Sequence, residues 1–303
     1  MVWSKGTVFR KCRMKILTAA VNNPDFIEIQ WMTFKKFMGC PYEFIVFNDA
    51  KAYSDVTNGG DVTMPKKIEE RCEALGIQCI RVANDHVRSP EMSVRHEHAF
   101  NNYVVKYQRE NPDEYLLIDS DMFLIDHFDI EAYRAYNSAI VVQLRTIGGE
   151  GVNYAWPGLF YVDMRKYGTE TNALINWGIK PGGDTGSMMY YWLLAQTPTA
   201  HIPDGGLIRR TAEPQHRDGI YYIRHLWSLS WDESELPENL RANKKLVQFI
   251  KSDPRNKGGK YFCEIYDGKF LHYRAGTNWL KEGMKMHAML SSVLKHIISG
   301  MVT

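Results

Sequence analysis

Tyr115-Leu-Leu-Ile-Asp119-Ser-Asp121-Met-Phe-Leu-Ile125 joins two apolar runs through a pair of carboxylates. Tyr115 to Ile118 has the unbroken apolar character of a strand buried on both faces. Unpaired carboxylates at the end of such a strand are very costly, so something cationic must neutralise them. A hard divalent metal carrying a phosphorylated ligand answers that need, because Mg²⁺ and Mn²⁺ take carboxylate oxygens together with substrate phosphates. The simpler alternative is a solvated strand-end turn in which Asp119 and Asp121 are hydrogen-bonded locally. The rest of the chain has to decide between them.

Working outward, the chain alternates strand and helix. Met14 to Val21 reads as a strand ending at Asn22-Asn23-Pro24, and Phe26 to Met38 has helical apolar spacing closed by Gly39 and Pro41. Tyr42 to Phe47 is a second strand, Ser54 to Pro65 a polar loop, Lys66 to Leu75 a helix stopped by Gly76, and Ile77 to Val82 a third strand. Ser93 to Glu110 reads as one long helix, capped by Ser93 and ended before Pro112. Such alternation predicts an α/β fold with a mostly parallel sheet covered by helices. Ligands of these sheets sit beyond the carboxyl ends of the strands, which places Asn22, Asp49, Asp85, Asp119 and Asp121 on one rim. Farther on, Ala139 to Leu144 and Gly158 to Val162 are expected strands. Gly148 to Gly151 is either a mobile lid or a hairpin connection. Gly182-Gly-Asp-Thr-Gly186 is expected to open a helix reaching about Leu194, with loop-rich chain after Pro198. Phe270 to Tyr273 is a short strand, and a helix from about Lys281 to Ile298 closes the chain.

The 303 residues suffice for one large domain or two smaller ones, and the absence of repeats or a clear linker favours one. A net charge of +2 without a Lys/Arg stripe gives no footprint for nucleic acid. Five cysteines without paired spacing read as free thiols of a reducing, cytoplasmic compartment. No apolar stretch approaches the roughly 18 residues of a membrane span. Met1 to Arg13 is basic but lacks the apolar centre of a secretory signal, and reads as a loose leader before Met14. Aromatic residues make up 13% of the chain, which suits a surface for stacking sugars or bases.

Four segments together resemble the metal-dependent GT-A glycosyltransferases, most of all the glycogenin-like family that includes bacterial lipopolysaccharide galactosyltransferases. Leu117-Ile-Asp-Ser-Asp-Met-Phe-Leu-Ile125, continued by Asp126-His-Phe-Asp129, is similar to that family's Asp-x-Asp strand. Trp156-Pro-Gly-Leu-Phe-Tyr-Val-Asp163 is similar to its Asn-Ser-Gly strand, and Gly182-Gly-Asp-Thr-Gly186 to its Gly-Gly-Asp-Gln-Gly segment. Leu271-His-Tyr-Arg-Ala-Gly276, with Trp279, is similar to its His-Phe-x-Gly-x-x-Lys-Pro-Trp ending. The chain departs from the pattern at Trp156-Pro157, Thr185 and Thr277-Asn278, positions that touch acceptor, donor sugar and diphosphate in the family.

The resemblance implies a GT-A, Rossmann-like sheet with the Asp-x-Asp motif at a strand end. It implies one domain over 14–303, nucleotide-binding in 14–125 and acceptor-binding in 126–303. The expected activity is transfer of a sugar from a nucleotide-sugar, most simply a UDP-sugar, to a glycan or glycoconjugate, with retention. Asp121 would be the main ligand of Mn²⁺ or Mg²⁺, Asp119 would contact metal and ribose, and His272 would be the third ligand, an imidazole that favours Mn²⁺. The competing role for His272 is a packed strand histidine. Thr18, Ala19, Ala20 and Asn22 would border base and ribose. Asp49 would contact the base or simply form an Asx turn. Arg95 would meet diphosphate or sugar, and Ser120 and Gly276 would adjoin the donor. Asp184 would face the transferred sugar, serve as base in an inverting reaction, or cap its helix. Trp156, Trp227 and Trp231, with His225 nearby, would stack the acceptor or fill core. His96 and His98 point to different helix faces and make no metal pair.

Three other readings remain open at this level. One is the inverting transferase. The second is a sugar-phosphate nucleotidyltransferase, although Val21-Asn-Asn-Pro24 lacks the Gly-rich, Arg- and Lys-bearing loop that class carries. The third is a non-catalytic nucleotide- or carbohydrate-binding protein. The oligomeric state is not legible.

Overall fold

Residues 14–89, 91–197, 215–217, 219–279 and 283–302 are described by a computed structural model of the chain. The leader 1–13, the stretch 198–214 and residues 281–282 of the expected C-terminal helix lie outside the described residues.

The first four strands fall where short apolar runs predict them: β1 (Met14–Ala20), β2 (Tyr42–Asn48), β3 (Gln78–Arg81) and β4 (Glu114–Ile118). Helices Pro24–Phe37 and Met64–Leu75 connect the first three, each with proline in its first turn, where the missing N–H costs nothing. Then follow β5 (Met122–Leu124), β6 (Ser138–Ile147), β7 (Glu150–Asp163), β8 (Gln215–Arg217), β9 (Ile220–Tyr222), β10 (His225–Leu226), β11 (Glu264–Tyr266) and β12 (Phe270–His272). The main sheet has the order β3-β2-β1-β4-β7-β6-β9-β8, and only β7 and β8 run against the other six. It is a mixed α/β fold around a mostly parallel sheet.

Alternation along β4 shows why that strand reads as an unbroken apolar run. Tyr115 and Leu117 enter the core on one face of the sheet, Leu116 and Ile118 the core on the other. A third core gathers Phe26, Phe123, Leu271 and Tyr273 against Leu290, Leu294 and Ile298 of the helix Gly283–Val302. It backs a smaller sheet of order β10-β11-β12-β5, in which His272 lies opposite Met122. That pairing joins the end of the chain to the Asp119–Asp121 turn.

Three expectations are corrected and two open alternatives are resolved. The helix after Ser89 starts at Met92, so Ser93 lies inside it and caps nothing. It also passes through a π-helical stretch, Phe100–Val104, before continuing as Val105–Glu110. Within it Asn101 accepts the Trp177 N–H at 2.9 Å, a tertiary bond that helical periodicity cannot foresee. The two strands of the middle region are longer than their apolar cores, because Ser138–Ile147 and Glu150–Asp163 form one hairpin. Gly148 and Gly149, at φ 62° and 87°, make its two-residue turn, so the connection is a hairpin. Gly182 to Gly186 does not open a helix: the helix starts at Met189, and Gly186 at φ 87° keeps the chain non-helical before it. Trp231 is wholly buried, its indole N–H donating to the Cys263 carbonyl, so it is core and not a stacking platform.

Cys40, Cys72, Cys79 and Cys263 are free thiols. Among the described residues no helix is long and apolar enough to cross a membrane.

Candidate active site

After Ile118 the chain leaves the main sheet, turns through Asp119-Ser120-Asp121 and enters the small sheet as β5. Two buried groups fix the turn. The Asp119 N–H donates to the Gly158 carbonyl at 2.9 Å. The Gln30 amide donates to the carbonyls of Asp119 and Met122, at 2.8 and 3.1 Å. Tyr273 in turn donates its N–H to the Asp121 carbonyl at 2.8 Å, tying the segment after β12 to the turn.

The side chains converge as a result. Asp119, Asp121 and His272 each offer a ligand atom within 4.8 Å of the others, an arrangement that can hold a metal ion. His272 Nε2 is 3.2 Å from Asp121 Oδ1 and 3.8 Å from Asp119 Oδ2. The second oxygen of Asp121 accepts the Gly276 N–H at 2.7 Å. The other imidazole nitrogen, Nδ1, lies 2.7 Å from Glu264 Oε2, which also accepts the Tyr266 hydroxyl at 2.7 Å. A carboxylate behind a histidine fixes the ring and its tautomer for a metal on the far nitrogen. The residues therefore fit a divalent ion with a mixed oxygen and nitrogen donor set.

The electrostatics point the same way. Burial pushes Asp119 up to about 7, and the neighbouring Asp121 carboxylate adds to it. Burial would also raise Asp121, but His272 and the Gly276 N–H outweigh it and hold it below the usual range. Burial would lower His272, yet Asp121 and Glu264 carry it up to about 10. Without an ion, protons on His272 and in part on Asp119 offset the carboxylate charge, and a bound metal ion would displace them.

Two cavities meet at this cluster and share Trp156, Asp184, His272 and Arg274 in their walls. The smaller, about 330 Å³, opens along the carboxyl ends of β1, β2 and β4. Ala19, Asp49, Arg95, Asp119, Ser120 and Asp121 line it. Thr18, Ala20 and Asn22 do not: Ala20 packs in the core, and Asn22 clamps the carbonyls of Thr57 and Thr277 at 2.6 and 2.9 Å. Strand alternation turns Ala19 and Val21 to the cavity and their neighbours away from it. Gly276 acts through its backbone on Asp121. There a Cβ would meet the rings of Tyr273 and Phe26 at 2.6 and 2.8 Å. Arg95 is held by Asp55 at 2.7 Å and by the Ser89 carbonyl at 2.6 Å.

The larger cavity, about 570 Å³, is walled by Trp156 and Trp227 together with Gln143, Arg145, Asn153 and Arg274. Trp156 lies across Gly158, where a Cβ would come within 2.2 Å of the indole. His225 is buried against Trp227, with ring centroids 4.3 Å apart, and lines neither cavity.

Asp184 stands between the cavities on a turn, its Oδ1 accepting the Thr185 N–H at 2.8 Å and its Oδ2 3.6 Å from Arg145. The turn is anchored by Gly186 N–H to Trp177 carbonyl at 2.8 Å and by Thr185 Oγ1 to Ser93 carbonyl at 3.1 Å.

Sequence reading missed several residues. Glu264 carried no motif, and only its place opposite His272 in β11 and β12 reveals it. Lys51 is buried in the wall of the smaller cavity, 3.0 Å from Asp49. That pair does not fully offset burial, which pushes Asp49 up to about 6. His96 lines the same cavity, and burial lowers it to about 4, so it is neutral. Gln30 gave no local signal at all.

No family model matches the chain. No curated protein matches it either. Among solved structures, core-mannan synthase A (CmsA/Ktr4) from Aspergillus fumigatus, in its Mn/GDP form, is similar at a TM-score of 0.38 and 10% identity. The similarity covers 54% of this chain and 63% of that one, so it spans less than two thirds of the other protein's structure.

Proposed function

We propose that the protein is a GT-A glycosyltransferase, of the glycogenin-like kind. It would move a sugar from a nucleotide-sugar, most simply a UDP-sugar, to a glycan or glycoconjugate in the presence of Mn²⁺ or Mg²⁺. The observation that carries the reading is the position of Asp119, Asp121 and His272 at the junction of two cavities. One cavity follows the strand ends and suits a nucleotide. The other is walled by indoles and suits a sugar acceptor.

A bound divalent ion would supply Lewis acidity to the departing diphosphate. The residues of the chain do the rest. Glu264 and the Gly276 N–H orient His272 and Asp121 toward the ion. Asp49 and Lys51 border the base end of the donor cavity, and Ala19 and Val21 give the nucleotide a flat wall. Asp184 faces both cavities, where positive character at the sugar's reacting carbon needs a carboxylate nearby. Retention is carried over from the resemblance of the Gly182–Gly186 and His272 segments. The nucleotide half 14–125 and acceptor half 126–303 then divide the labour, with His272 and Asp184 crossing between them.

The test is a nucleotide-sugar panel read by thermal shift with and without Mn²⁺, followed by NMR of the product's anomeric configuration. Stabilisation by one nucleotide class only when Mn²⁺ is present is expected. A panel without any metal-dependent stabilisation would reject the reading, and an inverted product would make Asp184 the base.

A further inference from the structure

The larger cavity holds two guanidinium groups whose hydrogen-bonding capacity the protein leaves largely unused. Arg145 of β6 stands 3.6 Å from Asp184 Oδ2, and Arg274 stands 3.7 Å from Glu264 Oε1, both longer than a hydrogen bond. By contrast, Arg95, Arg134, Arg165 and Arg255 each hold a carboxylate oxygen at 2.7 Å. Arg274 has a further contact with Ser228 Oγ at 3.2 Å and lies over the Phe262 ring, 5.2 Å from its centroid, and Arg145 hydrogen-bonds the Tyr154 hydroxyl. In each neighbouring carboxylate the oxygen turned away from the arginine carries the short hydrogen bonds. Asp184 Oδ1 takes the Thr185 N–H, and Glu264 Oε2 takes His272 and Tyr266.

Each guanidinium carries five donors, and these two side chains remain 51% and 44% exposed on the cavity wall. Gln143 adds to the imbalance: its carbonyl oxygen is engaged by the Tyr154 hydroxyl at 2.8 Å, so its remaining polar group is the amide NH₂. The wall between Trp156 and Trp227 is therefore rich in donors.

We infer that this cavity takes an acceptor sugar bearing an anionic group, a carboxylate or a phosphate, gripped by Arg145 and Arg274 while the ring lies on an indole. The inference rests on the glycosyltransferase reading above and adds the class of acceptor to it. A guanidinium matches either anion with paired hydrogen bonds. Each guanidinium has one carboxylate at ion-pair distance, 3.6 and 3.7 Å, so a neutral sugar closing the cavity would leave most of their N–H donors without a charged partner. The anion belongs to the acceptor because Arg145 lines the larger cavity alone. On the donor side, Lys51 and Arg95 are already paired with Asp49 and Asp55.

The experiment uses the full chain with Mn²⁺ and saturating UDP or GDP, whichever the panel selects. Methyl hexosides, the matching methyl uronides and the matching hexose 6-phosphates are titrated in by calorimetry. At least one anionic sugar binds about tenfold tighter than its neutral partner, and Arg145→Gln removes that preference while nucleotide affinity stays. Arg145→Lys, which keeps the charge, retains part of it. Whether the uronide or the phosphate wins identifies the anion. Equal binding of neutral and anionic sugars overturns the inference, as does a preference that survives Arg145→Gln. If Arg274→Gln weakens nucleotide binding and leaves acceptor preference intact, Arg274 belongs to the donor and the two-arginine grip is wrong. Failure of the wild type to bind any nucleoside diphosphate with Mn²⁺ instead removes the glycosyltransferase reading itself.

Discussion

Glu264 and His272 lie directly opposite each other on two antiparallel strands, with Glu264 Oε2 2.7 Å from His272 Nδ1. The ring's other nitrogen is thereby turned to Asp121 and Asp119. Glu264→Gln preserves the shape of the pair but removes the charge that steadies the ring. We predict a loss of Mn²⁺ affinity of about 10–100-fold, read by electron paramagnetic resonance titration. Unchanged affinity would leave Glu264 only a strand-pairing role.

Asp121 makes two contacts through its two oxygens, with the Gly276 N–H and with His272. Asp121→Ala and His272→Ala should each lower Mn²⁺-dependent transfer or donor hydrolysis by roughly 10³-fold, as expected when several kcal/mol of charge stabilisation are removed. Full activity in either variant with every donor tried would refute the metal centre.

Asp184 sits on a turn five residues before the helix that begins at Met189, so its removal costs no helix cap. Asp184→Asn should depress turnover strongly while the melting temperature shifts by no more than about 2–4 °C, the equivalent of about 1 kcal/mol. A large thermal loss with intact turnover would reduce Asp184 to a turn residue.

Gly158 leaves room for the Trp156 indole, which a Cβ would meet at 2.2 Å. Gly158→Ala should swing the indole off the wall common to both cavities. The expected results are destabilisation of about 1–3 kcal/mol, altered tryptophan fluorescence and a raised acceptor KM. A ring that keeps its fluorescence and an unchanged KM would show that Trp156 does not form that wall.

Asp267 should make stability depend on pH apart from the Asp119, Asp121 and His272 cluster. It accepts the Tyr133 hydroxyl and the Arg224 N–H, both at 2.8 Å, and burial pushes it up to about 6. A carboxyl that is raised in the folded state binds its proton more tightly there than in the unfolded chain. Its contribution to stability is therefore full below about 4 and lost as pH rises through about 6, by up to about 3 kcal/mol. Asp267→Asn should flatten the melting temperature between pH 4 and 6.5. An unaltered pH profile would show that another group sets it.

Much of the fold was legible because the signals are local. Met14–Ala20, Tyr42–Asn48 and Glu114–Ile118 are short apolar runs between turn residues, and Gly76 and Pro24 punctuate the helices around them. The Asp119-Ser120-Asp121 turn stood out because two charges at the end of a buried strand demand a partner. Hydrophobic periodicity and the cost of buried charge are properties that neighbouring residues express by themselves.

What only the tertiary structure decided depends on residues distant in sequence. His272 meets Asp121 because β12 pairs with β5, and Glu264 meets His272 because β11 pairs with β12. Asn101 accepts the Trp177 N–H from within the π-helical turn Phe100–Val104, a contact 76 residues apart in sequence. Asn22 became a clamp, and His225 and Trp231 were buried, through packing that no local pattern carries. Strand registry and side-chain burial are set by the closing of the whole chain, so the sequence named Asp119, Asp121 and, by resemblance, His272, and the fold supplied the carboxylate support of Glu264 and the two cavities.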